Sequence, residues 1–210
     1  MLLNFHTHHP RKGEHYVHSI GLHPWHLDAD TYEYAFAQLK SNVMKGHYAM
    51  IGECGLDKAC TTPFNLQRKA FADQLHLAET MEKPVVVHCV RAYNELLEVR
   101  RQSFWSQPWI VHGYTGSLQM AKHLQKEGIC FSFGRYIERP KVQDVIRYLS
   151  TELLNEHVLL PLFLETDDNP DLAIEQVYDH CAKIINVPRK LVEDAIELYY
   201  GNLMAGAYNR

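Results

Sequence analysis

The chain has 210 residues, 46% of them apolar and 22% charged, with a formal net charge of −4 at neutral pH. These are globular values, which exclude a disordered or fibrous chain, and the acidic balance excludes a protein that holds nucleic acid by bulk positive charge. Apolar runs are short, so no membrane span of about 20 residues is offered, and the opening MLLNFHTHHP lacks the basic-then-apolar pattern of a secretory leader.

In chain order, strand-like apolar runs fall at 2–5, 17–22, 48–52, 84–88, 109–112, 129–133 and 159–165. Helical patterns lie between them. One is predicted over 31–46 with Asp30 as its cap, and one after Thr61-Thr62-Pro63, with Pro63 at the first helical position. The latter places Phe64, Phe71, Leu75, Ala78 and Met81 on one side. Others are predicted over 117–127, ending at Gly128, over 171–185, and over 188–204. Strand–helix alternation argues for a parallel sheet covered by helices. No linker or composition shift interrupts it, so residues 1–210 read as a single domain. An open doubly wound sheet and a (β/α) barrel both fit. The spacing of roughly 30 residues per unit is close to that of a barrel. The eighth strand a barrel needs is not evident, so it is expected to be short or distorted.

The chemistry lies at the ends of these runs. The run at 2–5 leads into His6 and His8, that at 48–52 into Glu53, and that at 84–88 closes on His88. The run at 109–112 closes on His112, and the last leads into Asp167. In a parallel α/β fold the carboxyl ends of all strands share one face, where ligands sit. His6 and His8 are two apart, so on an extended strand they point the same way. One histidine at a strand end is ordinarily a hydrogen-bonded structural residue. Five strand ends that each close on a metal-capable residue are better explained by one shared site. Nitrogen and oxygen donors suit one or two divalent ions, Zn, Mn or Mg, with Glu53 able to bridge and Asp167 able to take a proton from water. The five cysteines (Cys54, Cys60, Cys89, Cys130 and Cys181) are odd in number and form no CxxC pair. They read as reduced core thiols of a cytoplasmic protein rather than metal ligands.

At these residues the sequence resembles the TatD-type metal-dependent hydrolases of the amidohydrolase-like superfamily. The resemblance is carried by NFHTH (4–8), GLHP (21–24), IGECGLD (51–57), QRKAFADQLHLA (67–78), PVVVHCVRA (84–92), VHGYTGS (111–117), FSFG (131–134) and FLETDDNP (163–170). It implies a compact TIM-barrel-like fold and His6, His8, Glu53, His88, His112 and Asp167 as metal ligands. Glu53 would bridge two ions, and Glu53 and Asp167 would be the catalytic carboxylates. It further implies a hydrolase acting on ester bonds, a deoxyribonuclease or phosphodiesterase with DNA or a small phosphoester as substrate. No membrane association or obligate protein partner is implied. The sequence departs from the family pattern at Asn4, where Asp is usual, at Lys58 after GLD, in HGYTG and in ETDDNP. The chain is also short, with length missing at 8–21 and 134–159.

His23 and Arg91 are candidate phosphate contacts, the first otherwise a turn residue before Pro24 and the second otherwise a surface ion pair. Asp57 reads as a turn cap or an orienter of a ligand. Glu165 shares a strand side with Asp167 and is placed to bond a ligand from behind. Trp25, Trp105 and Trp109 read as core residues before they read as base-stacking ones. Two rival functions keep the same residues: hydrolysis of a small amide, lactone or phosphoester in a closed pocket, and a non-catalytic binding protein on the same scaffold. The second rival predicts the loss of a ligand, and none of the six is lost.

Overall fold

The computed structural model describes residues 2–151 and 160–206; Leu159, placed above in the last strand run, lies outside them. The described strands in chain order are β1 (Leu3–Asn4), β2 (His15–Tyr16), β3 (Ser19–Ile20), β4 (Met50–Asp57), β5 (Val85–Val90), β6 (Trp109–Val111), β7 (Ile129–Phe133) and β8 (Leu162–Leu164). The described helices are α1 (Tyr32–Met44), α2 (Phe64–Thr80), α3 (Tyr93–Gln102), α4 (Leu118–Lys126), α5 (Pro140–Leu149), α6 (Ile174–Ile185) and α7 (Arg189–Met204). A single 3₁₀ turn covers Pro24–His26. No helix among the described residues is long and apolar enough to cross a membrane.

The chain forms two compact units, one of residues 1–17, 113–126 and 130–210 and the other of residues 18–112 and 127–129. In the first, β1 pairs in parallel with β2, and β7 with β8. The chain just beyond β1 continues beside the end of β8: Phe5 N–H donates to Leu164 O at 2.8 Å, and Thr7 forms a parallel bridge with Asp167. Phe5 stacks on Phe163 with ring centroids 4.4 Å apart. The strand not evident in the sequence is β2, which is only two residues long. In α5 the buried residues are Val142, Val145, Ile146 and Leu149, the spacing of one helical face.

In the second unit β3, β4, β5 and β6 are parallel neighbours in that order. All eight residues of β4 are buried, as are Val85 to Cys89 of β5, as expected for parallel strands covered on both faces. α2 buries two glutamines, Gln67 and Gln74, among Phe71, Leu75 and Ala78. Pro63 caps this helix rather than occupying its first turn, with an extended backbone at φ −54° and ψ 129°. Two helices, α3 and α5, were not expected from the sequence.

Candidate metal centre

In the first unit the site begins with β1. Thr166 and Asp167 N–H groups donate to His6 O at 3.2 and 3.0 Å, and His8 N–H donates to Asp167 O at 3.0 Å. This pairing brings the side chains together: Asp167 Oδ1 lies 3.7 Å from Nε2 of both His6 and His8. His6 is buried and His8 half open to solvent. Asn4, in place of the family's Asp, locks the same corner. Its Oδ1 accepts from Thr166 N–H at 3.1 Å, and its Nδ2 donates to Thr166 Oγ1 at 2.8 Å and to Glu14 Oε1 at 3.0 Å. A carboxylate here could not donate to Glu14, so the amide suits its neighbour. Glu165 is fully buried and accepts a hydrogen bond from Ser132 Oγ.

In the second unit β4 does not end at Glu53, and β5 does not end at His88; both residues lie within longer strands. The reason is a bulge. Ile51 faces Val85 but Cys54 faces Val87, so an extra residue is inserted at Gly52-Glu53 before pairing resumes through Asp57 and Val90. Bulges re-aim side chains next to active sites. Glycine makes the bulge possible. A Cβ on Gly52, at φ +133°, would lie 2.3 Å from Val86 O, and one on Gly55, at φ +148°, would lie 2.0 Å from His88 O.

Glu53 Oε2 then sits 3.0 Å from His112 Nε2, 3.5 Å from His88 Nδ1 and 3.3 Å from His23 Nε2. His88 Nδ1 and His112 Nε2 are themselves 3.3 Å apart. His88, His112 and Glu53 are all at least nine-tenths buried. The far side of the His88 ring, Nε2, meets Asp57 Oδ2 at 3.1 Å. Asp57 also accepts from Trp25 Nε1–H at 2.6 Å and from Ala59 N–H at 2.6 Å. Burial would raise the Asp57 carboxyl, but these three bonds outweigh it and hold it below the usual carboxylate range. Asp57 therefore does more than cap a turn: it fixes which His88 nitrogen carries the proton, a common device behind metal-ligating histidines.

His23 differs from the other two imidazoles. Its Nδ1 accepts the Trp25 N–H at 3.2 Å, so in the neutral ring the proton is on Nε2, facing Glu53. Burial, with His88 and His112 nearby, pulls its pKa below the ordinary value against the pull of Glu53. His23 is thus built as a hydrogen-bond donor. Arg91, at φ +53°, is exposed three residues beyond His88. Trp25 is 57% exposed, while Trp109 is buried.

The donor set fits a divalent cation. Ligands about 2.0–2.1 Å from a tetrahedral zinc stand about 3.3–3.4 Å from one another. The triangle of His88 Nδ1, His112 Nε2 and Glu53 Oε2 has sides of 3.0 to 3.5 Å. Burial pushes the thiols of Cys89 and Cys181 up to about 12, which disfavours them as ligands, and none of the five cysteines is in a disulfide.

Two features of this unit were not foreseen. Gln67 Oε1 accepts from Asp57 N–H at 2.7 Å while its Nε2 donates to Asp57 O at 3.0 Å. Gln74 Oε1 accepts from Leu22 N–H at 2.6 Å while its Nε2 donates to Leu22 O at 3.1 Å. The two amides, seven residues apart on the buried face of α2, hold the backbone at Asp57 and beside His23. Two polar residues at that spacing within an apolar helix face were the available signal.

The family model described as "TatD related DNase" matches residues 7–199. The metal-dependent hydrolase YjjV of Escherichia coli is 30% identical over 162 residues, which cover 74% of this chain and 59% of that protein. The human 3′-5′ RNA nuclease TATDN2 is 33% identical over 122 residues, 54% of this chain and 16% of its own length. The 3′-5′ ssDNA/RNA exonuclease TatD of Cronobacter sakazakii is 31% identical over 121 residues, 53% of this chain and 43% of its own. The chain therefore spans less than two thirds of each of these relatives. The crystal structure of YjjV matches with a TM-score of 0.75 at 24% identity, covering 92% of this chain and 77% of that one. This likeness shows the fold: α/β and TIM-barrel-like, as expected from the sequence.

Proposed function

Because the chain belongs to the TatD related DNase family, we propose that it is a divalent-metal-dependent phosphodiesterase that hydrolyses single-stranded nucleic acid. The observation that carries this reading is the buried triangle of two imidazole nitrogens and one carboxylate oxygen, with sides of 3.0 to 3.5 Å, at Glu53, His88 and His112. The curated relatives named as 3′-5′ nucleases support the substrate class. In this reading residues 1–210 act as one catalytic domain of a cytoplasmic enzyme, and His6, His8, Glu53, His88, His112 and Asp167 are the metal ligands.

A divalent ion held by these residues would supply positive charge to the phosphoryl oxygen and a water readily deprotonated near neutral pH. The chain's own residues set up the rest. Asp57 holds the His88 proton on Nε2, so the Nδ1 lone pair faces the place a metal ion would take. Asp167 accepts a proton from the attacking water, its Oδ1 steadied between His6 and His8. His23 Nε2–H and the Arg91 guanidinium hold phosphate oxygens, the latter through a fork that matches them.

The test is incubation of the purified protein with Mg, Mn or Zn and an end-labelled single-stranded oligonucleotide. Wild-type protein should give a ladder that chelation abolishes, and Glu53→Ala and His88→Ala should give none. A ladder of equal intensity from Glu53→Ala would refute the assignment. Metal uptake without any cleavage would refute the substrate class.

A further inference from the structure

The sequence between β7 and the end of α5 is basic in an acidic chain. Residues 135–147 carry Arg135, Arg139, Lys141 and Arg147 against Glu138 and Asp144, while the whole protein has a net charge of −4. The structure organises these charges. Arg135 and Arg139 both lie over the ring of Tyr136, with guanidinium carbons 5.0 and 3.7 Å from its centroid. Arg135 Nη1 also reaches Asp168 Oδ1 at 3.2 Å, on the residue next to Asp167. Arg139 has an extended backbone, φ −67° and ψ 130°, fixed by Pro140 at the start of α5. No carboxylate among the described residues pairs with Arg139. The loop that carries them is held closely: a Cβ on Gly134 would lie 2.7 Å from Glu165 O. A groove of about 280 Å³ is lined by Glu138, Gln143, Arg147, His180, Lys183 and Ile184; Glu138 is paired with His180 at 2.9 Å, and Arg147 is held at its edge by Asp144 at 3.1 Å and Gln143 at 3.0 Å.

We propose that Arg135, Tyr136 and Arg139, continued by Arg147 and Lys183, form a track for the phosphodiester backbone of single-stranded nucleic acid leading away from Asp167. The assignment rests on the nuclease reading and extends it to nucleotides beyond the scissile bond. A guanidinium laid on an aromatic ring keeps its outward N–H fork free for phosphate and loses little freedom on binding. Tyr136 is the platform on which the two guanidinium groups are laid. An exposed Arg135–Asp168 pair is no substitute, because such pairs contribute little to folding and exchange readily.

The experiment is binding, read apart from cleavage. Metal-loaded protein is titrated with a fluorescent phosphorothioate single strand, which keeps its charge and resists hydrolysis, over a series of salt concentrations. Each phosphate contact to a single strand contributes about −0.7 to the slope of log K against log salt. The double variant Arg135→Ala/Arg139→Ala should therefore flatten the slope by about 1.4, while Arg135→Lys/Arg139→Lys should retain it. Arg147→Glu should independently weaken binding of a long strand and spare a dinucleotide. An unchanged slope in the alanine double variant, or equal binding of the long strand by Arg147→Glu, overturns the track. If the wild-type protein cleaves the natural strand in those same preparations, only the track falls. If wild-type protein binds the strand with the expected slope but never cleaves it, the nuclease reading falls and the track stands.

Discussion

The Nε2 atom of His88 lies 3.1 Å from Asp57 Oδ2, which leaves Nδ1 as the ring nitrogen that faces Glu53. Asp57→Asn keeps the size of the side chain but removes the charge behind the bond to His88 Nε2–H, and leaves one oxygen where Oδ2 accepts from Trp25 and His88 and Oδ1 from Ala59 N–H. Metal affinity measured by isothermal titration should fall about 10- to 100-fold, with the ligands themselves intact. Affinity equal to wild type would show that Asp57 serves Trp25 and Ala59 alone.

Gly55→Ala tests the bulged strand. The added Cβ would lie 2.0 Å from a backbone oxygen, His88 O, at a φ of +148° that L-residues rarely adopt. Neither atom is the end of a flexible side chain, so the backbone must shift. Stability from urea unfolding should drop by about 3–5 kcal/mol, and a loss under about 1 kcal/mol would contradict the described packing.

Arg91 sits at φ +53°, a conformation Asn tolerates better than most residues. Arg91→Asn thus removes the charge with little added strain. If Arg91 holds substrate phosphate, KM should rise about tenfold with kcat nearly unchanged. A fall in kcat at constant KM would place its role in the reacting step instead.

Acid stability should depend on Asp73. Burial would raise its carboxyl, but hydrogen bonds from the Tyr32 phenol and the Lys69 ammonium outweigh burial and hold it below the usual value. The unfolded chain therefore binds this proton more readily than the native one. The resulting stability is present above the ordinary carboxylate pKa of about 4 and is lost as pH falls below it toward the native value. Tyr32→Phe should lower stability near neutral pH and flatten this acid dependence, as read from urea unfolding at a series of pH values. An acid limb as steep as wild type would locate the dependence elsewhere.

Much of the site was legible because its residues follow apolar runs. His6, His8 and Asp167 were reached by strand spacing alone, and the structure brings them within 3.7 Å. What stayed hidden depends on pairing between distant segments. The strand run was read as 48–52, but β4 continues to Asp57, with Gly52 and Gly55 set against Val86 and His88, where no side chain fits. The Asp57–His88 bond joins residues 31 apart, in a register that only the extra residue in β4 creates. β2 has two residues, too few for any alternation to register. α5 was hidden by Arg139-Pro140, a pair that reads as loop but here starts a helix.

The odd residue in β4 also constrains how this chain can vary. Along a regular strand, side chains alternate between the two sides, and a shift of one position exchanges them all. Losing either Gly52 or Glu53 would restore an even ladder with β5, and every residue from Cys54 to Asp57 would then be turned to the opposite side relative to Met50 and Ile51. Asp57 would lose sight of His88 even with its identity unchanged. In this stretch length is under tighter restraint than composition, and a one-codon deletion would be more damaging than most substitutions.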